Sequence, residues 1–360
     1  MWTEQMALTM DIMRVLAYLI LGSAVLGYAD ALADNDGPDI PPNGSCVEPK
    51  KGDTPDRRGG GGEAWLSLDN GVITVRIDLC SGGAITYLSV SGEDRNLINN
   101  YDRGRQIQQS YYAGKLLDRQ SEGQHSAWTP WSWNPVQVGD AHGKSSRVLN
   151  ARNDGSELYV KTLPLLWDMD DETAQCHLEQ WVTLKRNVLH VRNRLTVFRT
   201  DDRWGVEPRN QELPAVYTIA DLHHLFTYEG TKPFTHGALT EIHNLGPPWT
   251  SWGKSLPSEK WAALVDDSMW GIGVYNATTQ YFTGGFSGSP GGGTRDPSTG
   301  YISPLREETL GKDAVFRYEY DIIVGTLGQI RAFVYSAEGI REHEQCNTGS
   351  HDGAIRAGRP

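Results

Sequence analysis

The chain has 360 residues and a formal net charge of −12, with 40 glycines, 18 prolines and 12 tryptophans. The negative charge disfavours nucleic-acid binding, since proteins that bind a phosphate backbone are usually basic. The glycine and proline content favours short strands joined by many turns, and an all-β domain of this length can be a single unit. We therefore expect an all-β protein, a large antiparallel β-sandwich of two packed sheets.

The N-terminal segment is typical of an export signal. Arg14 precedes the apolar run Val15 to Tyr28, and Ala31-Leu32-Ala33 forms a small-residue cleavage pattern. The run is too short to span a bilayer comfortably, so residues 1–33 predict a cleaved signal peptide, with an uncleaved anchor as the alternative. Residues 34–63, rich in proline, glycine and charge, predict a disordered linker. We expect a secreted or extracellular protein, or a periplasmic or anchored one if the signal is uncleaved.

Alternation of apolar and polar residues with a period of two predicts the strands. They are expected at residues 72–79, 84–90, 96–98, 176–184, 188–198, 261–265, 270–275, 314–324 and 331–335. The clearest hairpin joins 176–184 to 188–198, and its polar face is predicted to be either solvated or part of a ligand-binding surface. A single β-sandwich domain is expected over residues 64–346, followed by a disordered tail over 347–360.

Four cysteines in an exported chain favour disulfide bonds. We prefer the pair Cys46–Cys346, which would tie the two tails together, because Cys80 and Cys176 lie in strand-like segments. The latter two would pair across the sheets or stay as buried thiols. Glycosylation sequons begin at Asn43 and Asn276 and matter only in a eukaryotic host.

Two polar and aromatic clusters are candidates for ligand binding. The first contains Tyr101, Asp102, Arg103, Arg105, Gln106, Gln108, Gln109, Tyr111 and Tyr112, and the second contains Trp128, Trp131, Trp133, Asn134, Gln137, Asp140 and His142. Arginine forks suit acidic groups in two-point contacts, and flat aromatic faces suit sugar rings. The alternative is that both clusters are structural, with Asp–Arg pairs that hold long loops.

Glu212 is a candidate acid or base, because it precedes Pro214 in an apolar stretch where burial would raise its pKa. The alternative is a paired structural glutamate. His223 and His224 follow, but adjacent strand residues point to opposite faces, so we expect no metal site and no cofactor. Trp249, Trp252 and Trp261 form a plausible stacking wall.

Residues 68–108 (LDNGVITVRIDLCSGGAITYLSVSGEDRNLINNYDRGRQIQ) resemble the start of galactose-mutarotase-like β-supersandwich domains. The chain is also similar to secreted, poorly characterised bacterial-type proteins with N-Y-D-x-G-R-Q, W-N-P and Q-E-L-P-A-V-Y segments. The resemblance implies a two-sheet sandwich with a sugar-binding concave face, in a superfamily of epimerases, polysaccharide lyases and accessory domains of glycoside hydrolases. The epimerase pattern of histidines and a glutamate is not matched, because no H-x-x-N-L-type segment is present.

We therefore expect a carbohydrate-active protein of the lyase or hydrolase type, with Glu212 as acid or base and Tyr111 or Tyr217 as its partner. A hydrolase would need two carboxylates, for which Glu179, Glu212 and Asp140 are available. The candidate catalytic residues are thus Glu212, Tyr217 and Glu179. The candidate binding residues are Arg103, Arg105, Gln108, Tyr111, Trp133, Asn134, Asp140, His142 and Trp181. The alternative functions are a non-catalytic carbohydrate-binding module and a surface protein. Neither nucleic acid nor, after signal cleavage, a membrane is an expected partner.

Overall fold

The computed structural model describes residues 65–337 except 245, 248, 250 and 253–257, and at 251 and 252 it describes the backbone alone. The predicted signal peptide, linker and C-terminal tail lie outside the described residues. So do Cys46, Cys346 and the sequon at Asn43.

The described chain forms twenty-one strands, one α-helix, α1, over residues 327–337, and three short 3-10 helices at Leu79–Ser81, Gln120–Glu122 and Ser126–Trp128. The first ten strands are β1 (Trp65–Asp69), β2 (Ile73–Asp78), β3 (Ala84–Val90), β4 (Ile107–Ser110), β5 (Ala113–Leu117), β6 (Trp131–Trp133), β7 (Pro135–Val136), β8 (Arg147–Asn153), β9 (Glu157–Leu163) and β10 (Leu165–Leu166). The others are β11 (Cys176–Lys185), β12 (Val188–Val197), β13 (Arg209–Thr218), β14 (His224–Thr227), β15 (Thr240–Glu241), β16 (Ser251–Trp252), β17 (Trp261–Val265), β18 (Trp270–Tyr275), β19 (Tyr281–Ser287), β20 (Thr299–Glu308) and β21 (Val315–Thr326).

Two large antiparallel sheets contain nearly all of these strands. The ten-stranded sheet runs β1-β2-β3-β4-β13-β20-β19-β16, with β7 and β10 attached beside β4. The nine-stranded sheet runs β15-β14-β17-β18-β21-β12-β11-β9-β8. Because neighbours in both sheets come from distant parts of the chain, the sheets bring together segments that no local pattern connects.

The core lies between the two sheets. Ile77 and Val216 of the ten-stranded sheet share one buried apolar cluster with Val182, Val191 and Ile322 of the nine-stranded sheet. Full burial of each such side chain contributes about 1.5–3 kcal/mol to folding. The predicted all-β sandwich of two packed sheets is confirmed, and the period-two strands alternate between this core and the outer faces.

The predicted strand over residues 331–335 is wrong, because this segment is part of helix α1. Ile330 and Val334, four residues apart, are fully buried against the outer face of the nine-stranded sheet. The helix comes this close because Gly273 of β18 has no side chain: a Cβ there would lie 2.2 Å from Ile330. Thr326 and Gln329 exchange hydrogen bonds at the helix start, in a threonine-x-x-glutamine capping pattern.

The predicted strand over residues 96–98 forms only an isolated bridge, between Ile98 and Thr218. The amide side chain of Asn96 accepts from the backbone N–H of Leu88 and donates to the carbonyl of Thr86. This side chain therefore takes the place of a regular strand ladder.

The structure bears on the sequon at Asn276 and on the possible disulfide between Cys80 and Cys176. Asn276 is fully buried and its amide donates to the carbonyl of Leu213, so the folded chain offers no acceptor there. Cys176 is a buried free thiol, which contradicts the pairing of Cys80 with Cys176. Every other pairing involves Cys46 or Cys346, so a disulfide stays a prediction. Among the described residues, no helix is both long and apolar enough to cross a bilayer.

Candidate functional site

Glu212 lies in the middle of the ten-stranded sheet, at an irregular point of β13. The register of β13 shifts after Glu212 against both neighbouring strands, β4 and β20. Pro214 lies within the shift and cannot donate to a strand ladder, which is why the irregularity falls here. Such irregularities redirect side chains. Leu213 is buried in the core, and the Glu212 side chain is only partly buried.

Three hydroxyl groups surround the carboxyl group of Glu212. Tyr301 of β20 donates a hydrogen bond to its Oε1, and Tyr112 donates to its Oε2 at 3.1 Å. Ser110, directly opposite Glu212 in β4, supplies a third side-chain hydrogen bond. Burial raises the pKa of Glu212, and these hydroxyl bonds only partly offset the rise. A carboxyl group with a raised pKa is better matched to proton transfer near neutral pH.

Three tyrosines next to Glu212 are held in their protonated form. Burial, reinforced by the Glu212 charge, raises the pKa of Tyr112, Tyr217 and Tyr301. The rings of Tyr217 and Tyr301 stack with centroids 4.4 Å apart. The Tyr217 side chain also hydrogen-bonds Trp249. These hydroxyls are therefore suited to donate hydrogen bonds or protons and not to act as bases.

A row of three partly exposed tryptophans extends from Tyr112. The ring of Tyr112 lies 6.2 Å from Trp131, Trp131 lies 5.0 Å from Trp128, and Trp128 lies 5.8 Å from Trp167. We call Trp131, Trp128 and Trp167 the tryptophan row. Asn134 orients its first member, because its Oδ1 accepts from the indole N–H of Trp131 at 3.0 Å.

The loop that carries Arg103 and Arg105 contacts the tryptophan row and also lies close to Tyr217, next to Glu212. Trp167 packs on Gly104, where a Cβ would lie only 3.3 Å from the indole ring. The Arg105 guanidinium lies 3.2 Å from the Asp102 carboxylate. Asp102 raises the pKa of Tyr217 and Arg105 lowers it, so both charges lie close to that hydroxyl. Glu212, Tyr217, the arginine loop and the tryptophan row thus share one region, which we call the Glu212 site.

Several predicted binding residues have structural roles instead. Tyr111 is fully buried in the core, and its hydroxyl donates to Gln109 at 2.7 Å. Gln108 is buried and donates to the carbonyl of Arg103. Trp133 is buried, with the Arg199 guanidinium 4.6 Å from its ring centroid. All three side chains are buried, and their contacts are with other parts of the fold.

Asp140 and His142 belong to a turn beside the tryptophan row. The Asp140 carboxylate accepts the backbone N–H groups of His142, Lys144 and Asp171 at 2.9, 2.9 and 2.8 Å. His142 is exposed, and its ring lies 5.1 Å from His125. The hydrogen bonds of the Asp140 carboxylate therefore stabilise the backbone of this turn.

Glu179 and Trp181 lie on the nine-stranded sheet and do not join Glu212. Both alternate with core residues of β11, so they face away from the core. Arg194 donates two hydrogen bonds to Glu179, at 2.6 and 2.7 Å, and Tyr159 donates a third at 2.8 Å. Trp181 lies beneath the guanidinium of Arg192. Ion pairs link the polar side chains of this face, and Glu179 within it is only 4% exposed, so the face is not simply solvated as one of the two predictions had it.

The expected stacking wall is only partly present. Trp261 is fully buried, and its indole N–H donates to Glu259 at 3.0 Å. Trp249 adjoins the Glu212 site, since its ring lies 5.3 Å from Tyr301. The side chain of Trp252 is not described.

Sequence reasoning missed Tyr301, Ser110 and Trp167. Tyr301 lies in β20, where Gly300 and Pro304 interrupt the alternating pattern, so no strand was predicted. It meets Glu212 across 89 positions of the chain. No local signal identifies such a partner.

The argument that His223 and His224 must diverge is wrong. His223 precedes the first residue of β14, so strand alternation does not govern the pair. Their rings lie 4.2 Å apart, and both Nε2 atoms approach Oδ1 of Asp267, at 3.3 and 3.1 Å. A cluster of potential metal ligands therefore exists where none was expected.

No protein-family model and no curated protein matches this chain. It is similar to the solved structure of a candidate aldose 1-epimerase from Escherichia coli K12 (TM-score 0.44, 10% identity, 73% of this chain and 99% of that one). A galactose mutarotase-like protein from Lactobacillus casei gives 0.42 and 12%, over 72% of this chain and 99% of that one. A quadruple mutant of α-N-acetylgalactosaminidase from Bifidobacterium bifidum gives 0.43 and 14%, over 77% and 39%.

Proposed function

We propose that the protein binds a carbohydrate chain at the Glu212 site and that Glu212 transfers a proton in a lyase-type elimination. The observation that carries this proposal is the environment of Glu212. Its carboxyl group is partly buried, its three side-chain partners are hydroxyls, and its pKa is raised. A carboxyl group in this setting can change its protonation state, as a general base must.

The surroundings of Glu212 suit a sugar chain. The tryptophan row offers partly exposed aromatic surface next to Tyr112. Arg105 supplies a guanidinium close to Tyr217, and guanidinium groups bind carboxylates in two-point contacts. An acidic sugar would compete with Asp102 for this group. Polysaccharides that contain uronic acids are therefore the proposed substrate class, in keeping with what the sequence resemblance implies.

Elimination is favoured over hydrolysis because neither of the predicted second carboxylates is available to work with Glu212. Glycoside hydrolysis commonly requires two carboxyl groups that flank the scissile bond. Of the two predicted partners of Glu212, Glu179 is bound by Arg194 and Asp140 by three backbone N–H groups. An elimination needs only one base and one acid, and Glu212 and Tyr217 can fill these roles.

In the proposed reaction Glu212 removes the proton on the carbon next to the uronate carboxylate. The electron pair of that C–H bond forms a carbon–carbon double bond, and the glycosidic C–O bond breaks. Tyr217, whose raised pKa keeps it protonated, donates a proton to the leaving oxygen. The raised pKa of Glu212 strengthens it as a base.

The test is incubation of the purified protein with a panel of acidic and neutral polysaccharides, followed by ultraviolet absorbance of the unsaturated product. Glu212→Gln should lower kcat by about 10²–10⁴-fold, the usual contribution of a general base. Glu179→Gln is the matched control and should retain activity in the folded fraction. New reducing ends without unsaturated product would indicate hydrolysis. Full activity of Glu212→Gln would overturn the assignment.

A second candidate is a non-catalytic carbohydrate-binding module. It is favoured by one specific observation: tyrosine hydroxyls already occupy both oxygens of Glu212. A glycan array would then show binding without turnover. Trp131→Ala and Trp167→Ala should weaken that binding, and Trp181→Ala, on the other sheet, should not.

We also propose that the chain is exported, on the basis of its N-terminal segment. The apolar run and the pattern Ala31-Leu32-Ala33 support this proposal. N-terminal sequencing of protein from the culture medium or periplasm should begin at Asp34. Retention of the full-length chain in the cell would contradict it.

A further inference from the structure

Two histidines and one aspartate converge at the edge of the nine-stranded sheet because of how three strands pair. His224 begins β14 and lies opposite Val265, the last residue of β17. The chain then turns through residues 266–269 into β18, which places Asp267 beside His223 and His224. The side chain of Asp266 accepts the backbone N–H groups of Ser268 and Trp270 and so fixes this turn. Asp267 is thus presented on an ordered backbone.

The other ring nitrogen of each histidine is already bound. Nδ1 of His223 lies 2.9 Å from the carbonyl oxygen of Asp221, and Nδ1 of His224 lies 2.6 Å from Oε1 of Glu241. A carbonyl or carboxylate oxygen only accepts, so both Nδ1 atoms must donate. In the neutral imidazoles, the lone pairs of both Nε2 atoms then face Asp267.

The two Nε2 atoms and Oδ1 of Asp267 all lie within 4.8 Å of one another, and the two imidazole ring centroids lie 4.2 Å apart. One divalent cation between them would bind all three atoms together. Atoms bound to one zinc ion at tetrahedral or octahedral angles are about 2.9–3.4 Å apart, given typical Zn–N and Zn–O bond lengths. The Nε2–Oδ1 distances of 3.3 and 3.1 Å fall in this range.

The structure assigns His223, His224 and Asp267 as a binding site for one divalent transition-metal ion of the zinc type. Two imidazole nitrogens and one carboxylate oxygen form a ligand set suited to such ions rather than to calcium or magnesium, which take oxygen ligands. The Glu241–His224 contact has the form of the carboxylate–histidine–metal arrangement that orients ligands in metalloproteins.

The site has room for a further ligand. Three protein ligands leave at least one coordination position open, as in catalytic zinc sites. The Asp267 side chain is 88% exposed, so the open position faces solvent. The neighbouring carboxylates of Asp221 and Asp266 both lie within 3.6 Å of the Arg95 guanidinium and form ion pairs with it. Asp267 remains as the acidic ligand. This inference is independent of the function proposed for Glu212.

The test uses full-length, untagged protein that is stripped with a chelator, dialysed and titrated with Zn²⁺ against a competing indicator dye. One zinc ion per chain is the expected stoichiometry. Co²⁺ in place of zinc should give the d–d absorption spectrum that is typical of nitrogen and oxygen ligands. Ca²⁺ and Mg²⁺ should not compete. His224→Ala and Asp267→Asn should each weaken zinc binding by more than about 10-fold, and Glu241→Gln by about 10–100-fold, as for other outer-sphere partners.

Matched controls are His236→Gln and Asp118→Asn, which change exposed residues outside the cluster and should leave zinc affinity unchanged. Asp267→Asn should keep the thermal midpoint of the metal-free protein, because the replaced carboxylate is exposed. The inference is overturned if the wild-type chain binds no stoichiometric zinc, as expected if protons hold the cluster together. It is also overturned if zinc affinity is the same in His224→Ala and Asp267→Asn as in the wild type.

Discussion

Glu179 and Glu212 lie on different sheets of the sandwich and are held in opposite ways. Burial would raise the pKa of Glu179, but the hydrogen bonds from Arg194 and Tyr159 outweigh burial and hold it below its usual range. Burial also raises the pKa of Glu212, and there the hydroxyls of Tyr301, Tyr112 and Ser110 do not outweigh it. The two carboxyl groups therefore differ mainly in whether a partner carries charge.

This difference separates a structural carboxylate from a chemically adaptable one. A guanidinium bound through two hydrogen bonds stabilises the ionised form strongly. Hydroxyl groups stabilise it less, so the protonated form stays within reach. Glu179 is consequently an ion-pair member, and Glu212 is the better candidate for proton transfer.

The largest expected effect in this comparison is the loss of the Glu179 partner. Arg194→Met should lower the free energy of unfolding by about 3 kcal/mol, because it leaves a buried carboxylate without its cation. Glu179 is only 4% exposed, whereas 28% of the Arg194 side chain is exposed, which sets the value at the lower end of the usual range. Urea unfolding at neutral pH measures it.

Arg192→Met on the same face is the matched control for Arg194→Met. Arg192 pairs with Glu157 at 2.7 Å, but 48% of its side chain is exposed, so the expected loss is below about 1 kcal/mol. Equal losses in the two variants would show that burial of Glu179 does not set the strength of its ion pair.

A smaller effect is expected from removing one hydroxyl at Glu212. Tyr301→Phe keeps the ring stacked on Tyr217 but deletes the hydrogen bond to Oε1. The free energy of unfolding should fall by about 1.5 kcal/mol, and the pKa of Glu212 should rise further. Urea unfolding and the pH dependence of activity measure the two effects.

Tyr281→Phe controls for loss of a tyrosine hydroxyl elsewhere on the same sheet. The Tyr281 hydroxyl donates a hydrogen bond to Asn210 in an exposed contact. Its removal should lower the free energy of unfolding by less than about 0.5 kcal/mol. A Tyr301→Phe variant that leaves the pH profile of activity unchanged would contradict the role given to the hydroxyls.

The smallest expected effect is an opposite pH dependence of stability at the two glutamates. The contribution of Glu179, whose folded pKa is lowered, is present above the unfolded pKa of about 4.3 and is lost as pH falls through the folded pKa. The contribution of Glu212, whose folded pKa is raised, is present below about pH 4.3 and is lost as pH rises through the folded pKa.

The measurement is the unfolding free energy of wild type minus that of each glutamine variant, between acid and neutral pH. The difference should increase with pH for Glu179→Gln and decrease with pH for Glu212→Gln. Slopes of the same sign would show that the two carboxyl groups are held alike.

The sequence placed Glu212 and Tyr217 in one region, and it located the arginine loop. It failed for Glu179, because alternation shows that a residue faces outward but not which guanidinium lies beside it. Arg194 faces Glu179 across the β11–β12 hairpin, and the two side chains form an ion pair with each other. It failed for Tyr301 because β20 comes next to β13 only through long-range pairing. It failed for His223 because the start of β14 could not be located to a single residue.

Local residue pattern alone determined the strands over residues 84–90, 261–265 and 270–275, since the direction of successive side chains depends only on the strand period. Tertiary structure decided which strands became neighbours, and hence what each carboxyl group meets. Glu212 is surrounded by hydroxyls because β13 lies between β4 and β20. Desolvation and hydrogen bonding set a pKa, and both depend on neighbours that are distant in the chain.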